Sequence, residues 1–147
     1  MLCVSVGVAQ SVELASQIDH PGLYSKSANG DSQLPILSPD GRFLAFASTA
    51  DNLCTVGGTN RIRPLIPPAM NVYLRDRQEG RTTLVSANYL GTGGGNDNSW
   101  PVAVSTNGQF VLFESAASDL LEGDTNRAND IFLRDVVGGK TTVISIS

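Results

Sequence analysis

Histidine is almost missing from this chain of 147 residues, with His20 as the single example. That scarcity nearly excludes His-dependent catalysis and His-rich metal sites. Cysteine is as thin: Cys3 and Cys54 lie too far apart for any metal or redox spacing. A disulfide between them is one reading, and two separate, partly buried thiols is the one the composition favours. No apolar run reaches the roughly 18 residues that a membrane-spanning helix needs. No Gly-x-Ser-x-Gly occurs, so no nucleophile elbow is present. Basic residues number ten against fourteen acidic, for a net charge of −4, and they are scattered. That leaves no electrostatic footprint for nucleic acid. No carboxylate spacing singles out a glycoside-hydrolase pair. Helical periodicity is also missing from every window of three turns, so the chain is expected to be all-β.

What is present is repetition. Ser38-Pro39-Asp40-Gly41-Arg42-Phe43-Leu44-Ala45-Phe46 returns as Ser105-Thr106-Asn107-Gly108-Gln109-Phe110-Val111-Leu112-Phe113, 67 positions on (105 against 38). Val72-Tyr73-Leu74-Arg75-Asp76 returns as Ile131-Phe132-Leu133-Arg134-Asp135, and Thr82-Thr83-Leu84-Val85-Ser86 as Thr141-Thr142-Val143-Ile144-Ser145. Both of these sit 59 positions apart (131 against 72), so the first copy has an eight-residue insertion ahead of Val72. Tandem self-similarity marks one supersecondary unit stacked on copies of itself.

Each copy divides into four β-favouring runs: 34–37, 42–48, 71–76 and 82–87, then 100–104, 109–115, 130–135 and 141–146. Asp40-Gly41 and Asn107-Gly108 are expected to form tight hairpins with both central residues at positive φ. Gln78-Glu79-Gly80 and Val137-Gly138-Gly139 turn the third run into the fourth. Phe43-Leu44-Ala45-Phe46-Ala47 is apolar at every position, where a strand with one wet face would alternate. Continuous apolar character means cover on both faces. Two four-stranded antiparallel β-propeller blades, forming part of a propeller, fit this better than a β-sandwich. Residues 30–90 make the first blade, with a loop insertion at 54–70, and 91–147 the second. Residues 1–29 have two readings: a strand pair (2–6 and 12–16) of a preceding blade, or the remnant of a secretory signal lacking its basic start.

These residues resemble the TolB-type, WD-repeat-like β-propeller blade of bacterial envelope and secreted proteins. The nearest subgroup is matched by Asp119-Leu120, Asp124-Thr125-Asn126, Asp130-Ile131-Phe132-Leu133-Arg134-Asp135 and the strand from Thr141 to Ser145. The resemblance covers roughly 30–147 and implies a secreted or periplasmic scaffold with a protein or glycan partner. Closed propellers use about four to eight blades, so two imply a fragment of a longer chain or self-association. A further implied reading is the propeller portion of a larger hydrolase whose catalytic domain lies elsewhere.

Asp124, Asn126 and Asp130 are the sharpest site candidates, with oxygen-bearing side chains at loop positions 1, 3 and 7. An oxygen-ligated Ca²⁺ loop spaces its ligands in this way, and the resemblance implies calcium here. Asx-turns leading into the strand at Asp130 explain the same residues. In the first copy Asn71 stands in place of Asp130 and the loop from Gly57 to Asn60 lacks carboxylates, so no metal is expected there. The insertion from Arg61 to Met70 reads as a tolerated surface loop or a recognition loop. Arg75-Asp76 and Arg134-Asp135 recur at one blade position and read as structural, through strand-end hydrogen bonds or a bridge to the neighbour; exposed pairs of this kind carry little energetic weight. Trp100, placed opposite Leu34 in the repeat, is either core or a stacking platform for a ligand. Gly91-Thr92-Gly93-Gly94-Gly95-Asn96-Asp97 leads to no helix and is expected to be a flexible inter-blade linker.

Overall fold

The computed structural model describes residues 15, 27–54, 68–126 and 128–145. Eight strands run in order: β1 (Ser32–Leu37), β2 (Phe43–Ser48), β3 (Asn71–Asp76), β4 (Arg81–Leu84), β5 (Ser99–Val104), β6 (Phe110–Ser115), β7 (Asp130–Asp135) and β8 (Lys140–Val143). They form two four-stranded antiparallel sheets, β1-β2-β3-β4 and β5-β6-β7-β8, each ordered as the chain runs. The described residues hold no helix, and none long and apolar enough to cross a membrane. The fold is all-β, with two sheets consistent with propeller-like blades. The proposed strand pair at 2–6 and 12–16, apart from Ala15, most of the 54–70 insertion, and Cys3 lie outside the described residues. Cys54 is buried.

The sheets stack face to face through one apolar core. Phe43, Ala45, Val72, Leu74 and Val85 of the first meet Val111, Phe113, Ala117, Leu120 and Phe132 of the second. The opposite face of the first sheet carries a second cluster around Phe46, Leu53, Tyr73 and Leu84, with Ala15 and Ala28 against it. Aromatic pairs repeat at matching places: Phe46 and Tyr73 have ring centroids 5.9 Å apart, Phe113 and Phe132 5.5 Å. All six residues of β2 are buried, which is the two-sided cover its apolar run demands.

The recurring Ser-x-Asx-Gly segment builds the same hairpin twice, of a different kind from the one expected. Only Gly41 (φ 74°) and Gly108 (φ 67°) have positive φ; Asp40 and Asn107 do not. Ser38 pairs with Phe43 across four residues, and the Gly41 N–H returns 2.8 Å to the Ser38 carbonyl. That is a type I turn closed by a left-handed glycine, which needs one positive φ, not two. The side chains lock it. Ser38 Oγ accepts the Phe43 N–H at 2.9 Å and donates to Asp40, whose carboxylate also accepts the Arg42 N–H. Ser105, Asn107, Gln109 and Phe110 repeat every bond.

The fourth strands are shorter than the expected 82–87 and 141–146. After Leu84 the ladder gives way: the Val72 N–H donates to Ser86 Oγ at 3.0 Å while the Val85 N–H keeps the Val72 carbonyl. A side chain has replaced a backbone acceptor, and the chain leaves the sheet. On the first strands a bulge falls between Gln33 and Ile36, with Leu34 at φ 53°, and another between Pro101 and Ala103. These bulges set the register, so Trp100 answers Gln33, not Leu34. Trp100 stands half-buried opposite Glu114.

Gly41 and Gly108 share a backbone conformation but not surroundings. A Cβ on Gly41 would meet nothing within 4 Å, whereas on Gly108 it would lie 2.4 Å from the Phe43 ring. Gly41→Ala is expected to cost about 1–2 kcal/mol for the left-handed conformation alone. Gly108→Ala is expected to cost a further ~1–3 kcal/mol for overpacking between the sheets. Equilibrium urea unfolding of the two variants checks the difference; equal losses would mean that Phe43 is not pinned there.

Candidate functional site

Asp130 opens β7 and is buried at 6% exposure. Its carboxylate accepts the Ser145 hydroxyl on Oδ1 and the Asn126 amide on Oδ2, both at 2.7 Å. Ser145 Oγ in turn accepts the Ile131 N–H at 3.0 Å. Asn126 Oδ1 accepts the Ala128 N–H at 3.0 Å, an Asx-turn that brings the amide back to Asp130. Asp124 is half-buried and lines the same cleft of about 350 Å³, floored by Leu121 and Val143. The three candidates from the sequence therefore share one cleft. The hydrogen bonds, that from Ser145 first and that from Asn126 second, hold the Asp130 carboxyl below the usual carboxylate range.

A calcium ion takes about six to eight oxygens. Asn126 turns its amino group to Asp130, and its carbonyl oxygen is engaged by Ala128. A cation between the two would require that amide to turn over and the Asx bond to break. Among the described residues no group of three His, Cys, Asp or Glu side chains is placed to hold a metal. As arranged, these residues fit a hydrogen-bonded strand cap and not an oxygen cage.

The first sheet explains what the cap is for. Asn71, at the position of Asp130, accepts the Ser86 hydroxyl at 2.9 Å, and Ser86 Oγ accepts the Val72 N–H. The same Asn71 oxygen also accepts the Gly95 N–H at 3.1 Å. Gly94 lies so close that an added Cβ would come within 2.2 Å of that oxygen. Only glycine permits such an approach. The glycine-rich segment is therefore a strap seated on the first sheet, where a slack linker was expected. Asn88 shapes its start by accepting the Thr92 N–H at 3.0 Å, and Ala87 bridges Gly94. Its far end is capped by Asn96, whose N–H donates to Asp119 at 2.8 Å.

The recurrent Arg-Asp residues make hydrogen bonds within the blade, of the kind read from the sequence, but Arg75 is buried where an exposed position was expected. Arg75 is 5% exposed and its guanidinium donates to Thr82 Oγ1 at 3.0 Å; Arg134 donates to Thr141 at 2.9 Å. Burial pulls the Arg134 pKa down, against the opposing pull of Asp135. Asp76 caps the following turn through the Gln78 and Glu79 N–H groups and meets Arg42 at 2.7 Å; Asp135 caps its own turn through Val137 and Gly138. Sequence reading missed Ser86, Ser145 and the strap glycines. The signal was there: Ser86 follows Asn71 by the same interval as Ser145 follows Asp130.

Asp130→Asn copies the first sheet and is expected to cost about 1 kcal/mol or less, whereas Asp130→Ala, which strands Ser145 and Asn126, should cost ~1–3 kcal/mol. Because the folded carboxyl pKa is depressed, its contribution is present above the unfolded value and is lost as pH falls through the folded one. Below about pH 4 the wild type should therefore lose more stability than Asp130→Asn, read by urea unfolding at neutral and acid pH. Millimolar calcium is expected to leave the melting temperature unchanged in both. A calcium-dependent rise that Asp124→Ala abolishes would restore the cage.

No family model matches this chain, and no curated protein matches it.

Proposed function

We propose that this chain is a non-catalytic binding module built of TolB-like propeller blades, working at the cell envelope or outside the cell and engaging a protein or glycan partner. One observation carries the reading: the polar residues that recur between the sheets are engaged in holding the blades. Ser38 and Ser105 close hairpins, Asp76 and Asp135 cap turns, Arg75 and Arg134 brace Thr82 and Thr141, and Ser86 and Ser145 end the fourth strands. Groups committed to such bonds are not poised to move protons or attack a substrate. The sequence resemblance supports the envelope setting, and variable loops on a rigid repeat are where such modules bind.

The full chain, assayed with chromogenic peptidase, esterase and glycosidase substrates, is expected to show no turnover above a heat-denatured control. Turnover that falls with substitution of a described residue would replace the scaffold reading with an enzymatic one.

A further inference from the structure

Where the chain leaves the first sheet and where β7 turns into β8, the seam between the sheets opens into a cleft of about 280 Å³. One wall is the turn from Asn88 to Gly91, closed by the Gly91 N–H on the Asn88 carbonyl at 2.9 Å. Tyr89 and Leu90 stand at its corners, 52% and 65% exposed. The Tyr89 N–H donates to the Asp119 carbonyl at 2.8 Å, which pins the turn to the β6–β7 connection. The other wall is Arg134, Lys140 and Thr141.

The two cations have charge to spare. Arg134 gives one guanidinium N–H to Thr141 at 2.9 Å and has no other acceptor among the described residues. Burial pulls its pKa down, and Asp135 opposes this by charge alone. The Asp135 carboxylate is itself committed to the Val137 and Gly138 N–H groups and the Gln109 amide. Lys140 is exposed and pairs with no carboxylate among the described residues, and no described acid lines the cleft. In the first sheet the same corner is closed: Arg75, the counterpart of Arg134, is 5% exposed. A half-buried guanidinium with donors left over, beside an ammonium, is built to take a carboxylate on its planar fork.

The remaining lining says what that carboxylate is attached to. Asn88 spends its side-chain amide on the Thr92 N–H and hydroxyl, and the Thr141 hydroxyl is taken by Arg134. What is left is the apolar surface of Ala87, Tyr89, Leu120 and Leu121. The hydroxyls of a sugar would go unpaired there, whereas an apolar side chain would not. The volume falls just under the roughly 300–1,000 Å³ of sites for drug-sized molecules, so it suits one residue and not a chain passing through. In a polypeptide only the C-terminal residue carries a carboxylate and a side chain on the same carbon.

We propose that this cleft captures the C-terminal residue of a protein partner, its carboxylate on Arg134 and Lys140 and its apolar side chain against Tyr89 and Leu121. The assignment rests on the reading of the chain as a binding module and narrows its partner to a protein.

The test titrates the isotope-labelled full chain with an N-acetylated Gly-Ser-Gly-Leu peptide and follows the amide resonances of Tyr89, Gly139 and Lys140. These amides are expected to shift saturably, and amidation of the peptide to weaken binding about tenfold or more. Lys140→Glu should do the same to the free acid while leaving the melting temperature within about 2 °C, because its side chain is exposed. Arg134→Lys keeps the charge but loses the fork, and should also weaken binding about tenfold. Equal binding of acid and amide overturns the proposal, as does the absence of any shift at millimolar peptide. Acetate acting at the same concentration would make this a bare anion site, and glucuronate doing so would give it to an acidic sugar; both reject the chain end. So does an amidated peptide with an internal glutamate that binds as tightly as the free acid. Release of the terminal leucine, lost in Lys140→Glu, would leave the chain-end site standing and overturn the non-catalytic reading instead.

Discussion

Phe43–Ser48 carries apolar side chains on both faces of one strand, and neither face can be left in water. Burying each large side chain is worth about 1.5–3 kcal/mol, while a typical hydrogen bond contributes a net ~1 kcal/mol. Stability therefore resides in the stacking of Phe43, Leu74 and Val85 on Val111, Phe113 and Phe132. The hydrogen bonds have another task, which is to fix spacing and register. Ser86 ends a strand, Asn71 receives the strap, and Gly108 lets the neighbouring hairpin down onto an aromatic ring. Remove the two-sided strand, and none of these devices has anything to align.

Strand existence and order were legible because apolar runs and Asx-Gly punctuation repeat in register. All eight runs read from the sequence became strands in the paired order the repeat implies. Turn type was not legible from Asp-Gly and Asn-Gly alone. The dipeptide suits several turns, and the choice was made by Ser38 and Ser105, which accept N–H groups five residues on. The ends of β4 and β8 were overextended for a related reason. Val85 and Ile144 are β-favouring, but the serine after each takes the ladder's next donor. Local propensity lost to a side-chain acceptor.

The cleft at Asp130 shows how an oxygen-rich loop is read two ways. Spacing along the chain placed Asp124, Asn126 and Asp130 together, and they do share one cleft. Spacing could not say which atom of Asn126 faces inward, nor that Ser145 closes the set from another strand. Asn71 and Ser86 form the same bond in a loop without carboxylates, so the motif's common denominator is a hydrogen-bonded cap. Likewise recurrence marked Arg75 and Arg134 as serving the blade, but could not name the partner, which for each guanidinium is a threonine on the adjacent strand.

The bulges in β1 and β5 have a consequence for the edges of the sheets. Each interrupts an edge strand beside a proline, Pro35 in one and Pro101 in the other, and Leu34 turns left-handed at the first. An edge kinked in this way and short of an N–H donor makes a poor template for strand addition. Lateral fusion of sheets into a fibril is thereby discouraged.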